Sequence, residues 1–380
     1  MDSFSNMKLP RVLFILIFLC LFLCSCSEDP IRIGFSGSLK GKYSDLGVQG
    51  RNGVTLAVED INRNGGINGR KLELLIRDDE NTSEGAVKAD RELIKAGVSV
   101  IFGHMTSSQS LAAIKEIKEN EVIFISPTTS TNLIQGINDN FFRVIPTLTN
   151  LSQSLAEYAV KTLGKKRVAV LWDRSNKPFA EPYKDTFVEF FTKNGGKIVG
   201  EVDFSSYSGP VDWKTIMDKL KKLNPDSIIA VTAARDLAVF AQHSKLDKTG
   251  WTILSSMWGY TKELIQTGGK SVEGVIFSVH FAEDISNHDY ENFKQSFIAR
   301  FGWPPNFAAA FGYESVMVFA EAVKRNDGST KGLAKVLPSI TFKKSIVGPF
   351  RIDEFGDVEG TKHIVEVRNG TFVSVSRGKK

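Results

Sequence analysis

The residues best equipped for chemistry on a ligand are two clusters of small hydroxyl side chains. Met105-Thr106-Ser107-Ser108 follows the apolar run at 98–102, and Pro127-Thr128-Thr129-Ser130-Thr131 follows a second apolar run at 122–125. Hydroxyls beside the free N–H groups of a helix start form a hydrogen-bonding surface for an anion such as a carboxylate. A single cluster would be accounted for as a helix cap. Two on consecutive apolar runs, with five hydroxyl residues between Ser126 and Thr131, exceed what capping needs.

The elements around them explain how the clusters could meet. Between the runs, Leu111, Ile114 and Ile117 fall on one helical stripe, with Lys115, Glu116, Lys118 and Glu119 off it. Strand, helix and strand in succession predict a parallel pair, with both clusters at the same sheet edge. That edge, beyond the carboxyl ends of the strands, is where open α/β folds bind ligands. Upstream, a strand at 31–35 is followed by a helix with Val54, Ala57, Val58 and Ile61 at helical spacing. A glycine-rich stop at 64–70, a strand at 72–76 and a helix carrying Ala86, Ala89 and Leu93 complete the unit. Near Phe141 the rhythm restarts, with strands expected at 168–172, 198–204, 227–232 and 252–254. Segments at 274–280 and 347–352 read as returns, a helix is expected at 308–323, and Asn369-Gly370 signals a closing hairpin. The prediction is an α/β chain of two doubly wound parallel-sheet units.

Composition narrows the function. The 380 residues suffice for two domains, and the formal charge of +5 is spread along the chain. No Lys/Arg stripe interleaved with aromatics offers a nucleic-acid surface. Lys8 and Arg11 precede twelve unbroken apolar residues, 12–23. That is the length of a signal-peptide core and short of the roughly 20 residues that span a bilayer. Leu23-Cys24-Ser25-Cys26 resembles a bacterial lipobox, so residues 1–25 read as a signal peptide and Cys26 as the lipidated start of the mature chain, with 26–30 as a linker. The alternative is an uncleaved short anchor. All three cysteines (20, 24 and 26) belong to this leader, so the exported body has no disulfide, no cysteine nucleophile and no thiolate metal site.

Other chemistry finds little support. Gly34, Gly37 and Gly41 do not form a dinucleotide fingerprint, no phosphate-binding GxxxxGK[ST] occurs, and no cofactor is expected. The five histidines lack metal-ligand spacing, and His104 reads as a hydrogen-bonded structural residue. Asp78 and Asp79 could serve as acid and base but suit a solvated strand-end loop. A secreted hydrolase using Ser107 or Ser36 with a histidine is weakened because Gly34-Phe35-Ser36-Gly37-Ser38 misses the nucleophile elbow.

A series of segments then carries a family resemblance: 61–71 (Ile-Asn-Arg-Asn-Gly-Gly-Ile-Asn-Gly-Arg-Lys), Arg77-Asp78-Asp79, 103–108, 125–130, Phe141-Phe142-Arg143-Val144, 272–275 and 348–353. In order and spacing, over about 31–375, the chain resembles the extracellular solute-binding proteins of ABC transporters. Within these it is similar to the type I periplasmic-binding-protein group related to branched-chain amino acid binders. The resemblance implies two α/β lobes joined by three crossover strands, near 144–146, 278–281 and 347–350, closing on a ligand by hinge motion. The lobes would be 31–145 plus 280–346, and 146–279 plus 347–380. It implies a ligand carboxylate held by Ser107 and by Thr128, Thr129 and Ser130, with Tyr43 and Leu46 from the first loop. Phe179, Asp236 and Trp258 would come from the second lobe. Implied partners are a small solute and an ABC permease, with the membrane reached through lipid on Cys26; output through a membrane sensor is the alternative. Two departures stand out. The loop at 176–181 lacks the usual tyrosine, and no acid stands at Met257-Trp258 to pair with a ligand ammonium. Asp236 could substitute, or the ligand could be a carboxylate or amide without that ammonium.

Overall fold

A computed structural model describes residues 29–375 apart from 121 and 286. Strand β1 (Ile31–Gly37) pairs in parallel with β2 (Leu72–Asp78) on one side and β3 (Val100–Phe102) on the other. Strands β4 (Ile123–Ser126) and β5 (Phe141–Arg143) extend this to a five-stranded sheet in the order β2-β1-β3-β4-β5. The central strands are buried on both faces, as runs such as Val100-Ile101-Phe102 require. Helices α1 (Asp45–Arg63), α2 (Ser83–Lys95) and α3 (Ser107–Asn120) form the crossovers.

The second sheet contains β6 (Arg167–Asp173), β7 (Lys197–Phe204), β8 (Ser227–Val231), β9 (Thr252–Ser255) and β10 (Ile276–Val279), all parallel. Helices α4 (Thr149–Lys161), α5 (Lys177–Lys193), α6 (Trp213–Leu223), α7 (Ala234–Leu246) and α8 (Lys262–Gly268) belong to this unit. The chain then returns toward the first sheet. There α9 (His288–Phe301) and α10 (Phe307–Arg325) pack on α1. The approach of α10 to α1 is close enough that a Cβ on Gly53 would lie 2.0 Å from the Ala309 carbonyl oxygen, so that position demands glycine.

Helix α9 is a difference from the sequence reading. Its apolar face is aromatic, with Tyr290, Phe293 and Phe297 buried, and Asn287 caps it by accepting the Tyr290 N–H at 2.8 Å. The strand expected at 347–352 shrinks to β12 (Phe350–Arg351), paired with the equally short β11 (Thr341–Phe342). Gly348 takes φ +97 and Pro349 lacks an N–H, so a ladder cannot extend through them. The hairpin forms as expected. Strands β13 (His363–Arg368) and β14 (Thr371–Ser374) join the second sheet antiparallel through a two-residue turn, with Asn369 and Gly370 both left-handed at φ +52 and +69. The chain thus passes between the sheets three times, after β5, after β10 and after β12.

Candidate ligand-binding site between the two sheets

Strands β3 and β4 are neighbours, with Val100 opposite Ile123 and Phe102 opposite Ile125, so the two hydroxyl clusters leave the same sheet edge side by side. Helix α3 starts at Ser107, directing its N-terminal turn at that edge.

The second cluster is braced from behind by buried charged residues. His104 is inaccessible to solvent, with Nδ1 2.8 Å from Asp79 and 3.2 Å from Ser36 Oγ, and Nε2 3.3 Å from Asp90. Burial opposes charge on the ring, but Asp90 and Asp79 outweigh it and the pKa is pushed up to about 10. The carbonyl of this imidazolium-bearing residue accepts from Ser126 Oγ at 3.3 Å and Thr129 Oγ1 at 3.4 Å. The second cluster is also gripped by Arg143, which is fully buried and donates to the Thr131 carbonyl at 2.7 Å and the Thr129 carbonyl at 3.4 Å. Asp357, from the third passage between sheets, accepts from Arg143 Nε at 2.7 Å.

Ser36, His104 and Asp79 are the residue types of a hydrolase triad, but they cannot work as one. The same ring nitrogen faces Ser36 and Asp79, the other faces Asp90, and none of the four is open to substrate. An imidazolium also has no lone pair with which to take a serine proton.

In front of the clusters lies a narrow cavity, part of it open to solvent. On its polar wall, the hydroxyls of Ser107 and Ser130 make no hydrogen bond to any described residue, whereas Thr128 Oγ1 donates to the Met105 carbonyl at 2.8 Å. The facing wall comes from the second sheet. Phe179, early in α5, meets Trp258, in the turn after β9, edge to face with ring centres 6.0 Å apart, and Met257 lies beside them. Phe307, the first residue of α10, closes one side. Such a space offers a carboxylate its donors and an apolar body its aromatic slot.

The structure brings Leu46, Ser107, Thr128, Ser130, Phe179 and Trp258 together on this cavity. Tyr43 lines an adjoining chamber that shares Leu46 and Trp258. Thr129 and Asp236 line neither. Thr129 Oγ1 is turned inward onto Ser110 Oγ at 2.6 Å and its N–H donates to Ser126 Oγ. Asp236 is buried behind the chamber, where its Oδ1 accepts from Lys42 Nζ at 3.1 Å and burial raises its pKa. Cys26 lies outside the described residues. Sequence reasoning missed Asn176 and Phe307. The signal for Phe307 was Asn306, whose side chain caps α10 by accepting the N–H groups of Ala308 and Ala309.

Hydrogen bonds clasp the two walls together. Asn176 Oδ1 accepts both the N–H and the hydroxyl of Ser108 at 3.2 Å, Thr131 Oγ1 donates to the Pro178 carbonyl at 2.6 Å, and Tyr43 OH to the Ser206 carbonyl at 3.3 Å. With the Lys42–Asp236 pair, these contacts hold the cleft closed.

Two α/β units, linked by three passages and closed over a cavity to which both contribute, define a two-lobed binding protein. The chain belongs to the periplasmic binding protein family, whose profile matches residues 30–371. It is 24% identical over 340 residues to the leucine-, isoleucine-, valine-, threonine-, and alanine-binding protein of Pseudomonas aeruginosa, covering 88% of this chain and 89% of that one. The match to Leu/Ile/Val-binding protein homolog 3 of Brucella melitensis is 28% identical and spans about half of each protein, 54% of this chain and 55% of the relative. Among solved structures, a leucine binding protein from Thermotoga maritima superposes with a TM-score of 0.83 at 26% identity, covering 91% and 98% of the two chains. A solute binding protein from R. palustris in complex with benzoate gives 0.83 at 20% identity, covering 91% and 95%, which speaks for the fold alone. This is a family of solute-binding proteins and not of enzymes.

Proposed function

We propose that the protein is a lipid-anchored extracytoplasmic receptor that closes over a small carboxylate-bearing solute and delivers it to an ABC permease. The observation that carries this reading is the cavity: Ser107 and Ser130, without hydroxyl partners among the described residues, face Phe179 and Trp258 across the cleft. Donors beside the α3 N-terminus suit a carboxylate, and the aromatic wall suits an apolar body. The lobes that move are 31–145 plus 280–346 and 146–279 plus 347–380, and the anchor is lipid on Cys26 after removal of 1–25. The names of the similar proteins, which bind leucine and other amino acids or hold benzoate, are consistent with a carboxylate as the shared feature.

The test is a thermal-shift screen of residues 27–380 against amino acids, amides and small carboxylates. A true ligand stabilises the closed form as its concentration rises, by about 2.7 kcal/mol at a hundred times Kd. No stabilisation by any carboxylate contradicts the proposal.

A further inference from the structure

Where the chain passes between the two units, its three crossings meet on one side chain. His280 directly follows β10 and is 3% exposed. Its Nδ1 lies 3.0 Å from the Thr361 carbonyl oxygen, on the passage into β13, and its Nε2 lies 3.2 Å from the Thr147 carbonyl oxygen, on the passage after β5. Thr361 in turn donates its hydroxyl to the His280 carbonyl at 3.3 Å. The first and third passages also touch: a Cβ on Gly360 would lie 2.4 Å from Pro146 Cγ, so their approach leaves no room for a side chain there. His280 lines neither the cavity nor the chamber beside it, so any effect it has on a ligand runs through the arrangement of the lobes.

A neutral imidazole has one N–H to give and serves one of the two carbonyls at a time. The Thr361 hydroxyl keeps the third passage attached in either tautomer. An imidazolium could donate to both carbonyls, but no carboxylate neutralises it, and His280 forms no ion pair with a described residue. The first passage, 144–148, carries no charged residue. On the second, Glu283 is paired with Lys262 at 2.9 Å and Asp284 accepts from Ser374. On the third, Glu359 and Lys362 are exposed, and on α4, which packs on β10, Glu157 pairs with Lys161 at 3.5 Å. Among the described residues, His363 is the titratable group that acts on the ring through space, and its charge opposes another beside it. Burial pushes the ring down to about 4, and the carbonyls of Thr361 and Thr147 offset only part of that fall. A charged ring here is costly unless water reaches it, and water reaches it when the passages part.

We infer, building on the reading that the lobes close over a solute, that His280 is a proton-sensitive pin of the interlobe joint: neutral, it holds the three passages in the closed arrangement, and protonated, it releases them. The direction follows from linkage. A hydrated ring in an open form takes up its proton near the ordinary 6.5, whereas the buried ring does so only near 4. The pin is therefore intact above pH 6.5 and is lost as pH falls toward 4, so acid favours opening. A solute captured at neutral pH is released on acidification.

All three cysteines lie at 20, 24 and 26, so residues 27–380 carry none and two introduced cysteines can be spin-labelled cleanly. Lys40→Cys and Lys214→Cys place the labels at exposed positions, Lys40 in the loop after β1 and Lys214 in the first turn of α6. Pulsed dipolar distances in the ligand-free protein are expected to show a closed population at pH 7.5, with the ratio of open to closed about tenfold or more higher at pH 5. His280→Gln keeps a polar side chain that does not titrate in this range and should remove the pH response, which separates the ring from the carboxylates of the cleft. Thr361→Val, at an exposed position, takes away the donor to the His280 carbonyl and should raise the open fraction at pH 7.5. It keeps the test decisive if melting curves show that His280→Gln does not fold. The pin is overturned by open distances alone at pH 7.5, or by a wild-type distribution that does not change with pH. It is equally overturned by the same change in His280→Gln, or by a Thr361→Val protein as closed as wild type. No ligand takes part in these measurements, so failure of the thermal-shift screen would contradict the carboxylate reading and leave the pH response standing.

Discussion

Replacing His104 with asparagine removes the one cation between Asp79 and Asp90 while leaving a polar side chain of smaller volume. In the folded protein the imidazole pKa is pushed from 6.5 to about 10, because Asp90 and Asp79 overcome the opposing effect of burial. At about 1.36 kcal/mol per unit, a displacement of that size is worth about 5 kcal/mol, and breaking a buried pair by removing one partner costs about 3–5 kcal/mol. The variant should therefore lose a few kcal/mol at neutral pH. The folded pKa lies above the unfolded one, so the contribution is complete below pH 6.5, declines as pH rises and is gone by about pH 10. Urea denaturation of wild type and His104→Asn at pH 6.5, 8 and 9.5, followed by far-UV circular dichroism, should show the gap between their midpoints narrowing with pH. A variant as stable as wild type at pH 6.5, or a gap that does not change with pH, would refute the assignment of a charged, paired imidazolium.

Other expectations follow from single contacts. Ser107→Ala should weaken carboxylate binding by about tenfold or more, since a hydrogen bond to a charged group contributes about 1.5–3 kcal/mol, and titration calorimetry measures it. Asn176→Ala removes both bonds to Ser108 and should shift the ligand-free protein toward an open form, seen as a larger radius of gyration in small-angle scattering. Asp357→Asn leaves Arg143 buried without its counterion and should lower stability by about 3–5 kcal/mol in denaturant titrations.

What could be read from the residues alone depended on how locally each feature is encoded. The β3–α3–β4 unit was legible because apolar runs and helical spacing are short-range patterns, and parallel pairing then places Ser107 beside Thr128 and Ser130. The hairpin at Asn369-Gly370 was legible because only a few residue types take two consecutive left-handed conformations. Which hydroxyl faces the ligand was not, since Thr129 differs from Ser130 only in where its side chain finds a partner, and that partner is Ser110. Asp236, chosen as a stand-in for the absent acid, is instead taken by Lys42, a contact between lobes that no local pattern announces. Helix α9 escaped because its buried stripe is aromatic and short.

A crystal structure of the protein with a ligand from the thermal-shift screen shows whether a carboxylate is held by the hydroxyl wall of one lobe and covered by the aromatic wall of the other. Carboxylate oxygens are expected within hydrogen-bonding distance of the Ser107 and Ser130 hydroxyls, with the body of the ligand against Phe179 and Trp258. A ligand seated elsewhere, or one touching a single lobe in the closed protein, would contradict it.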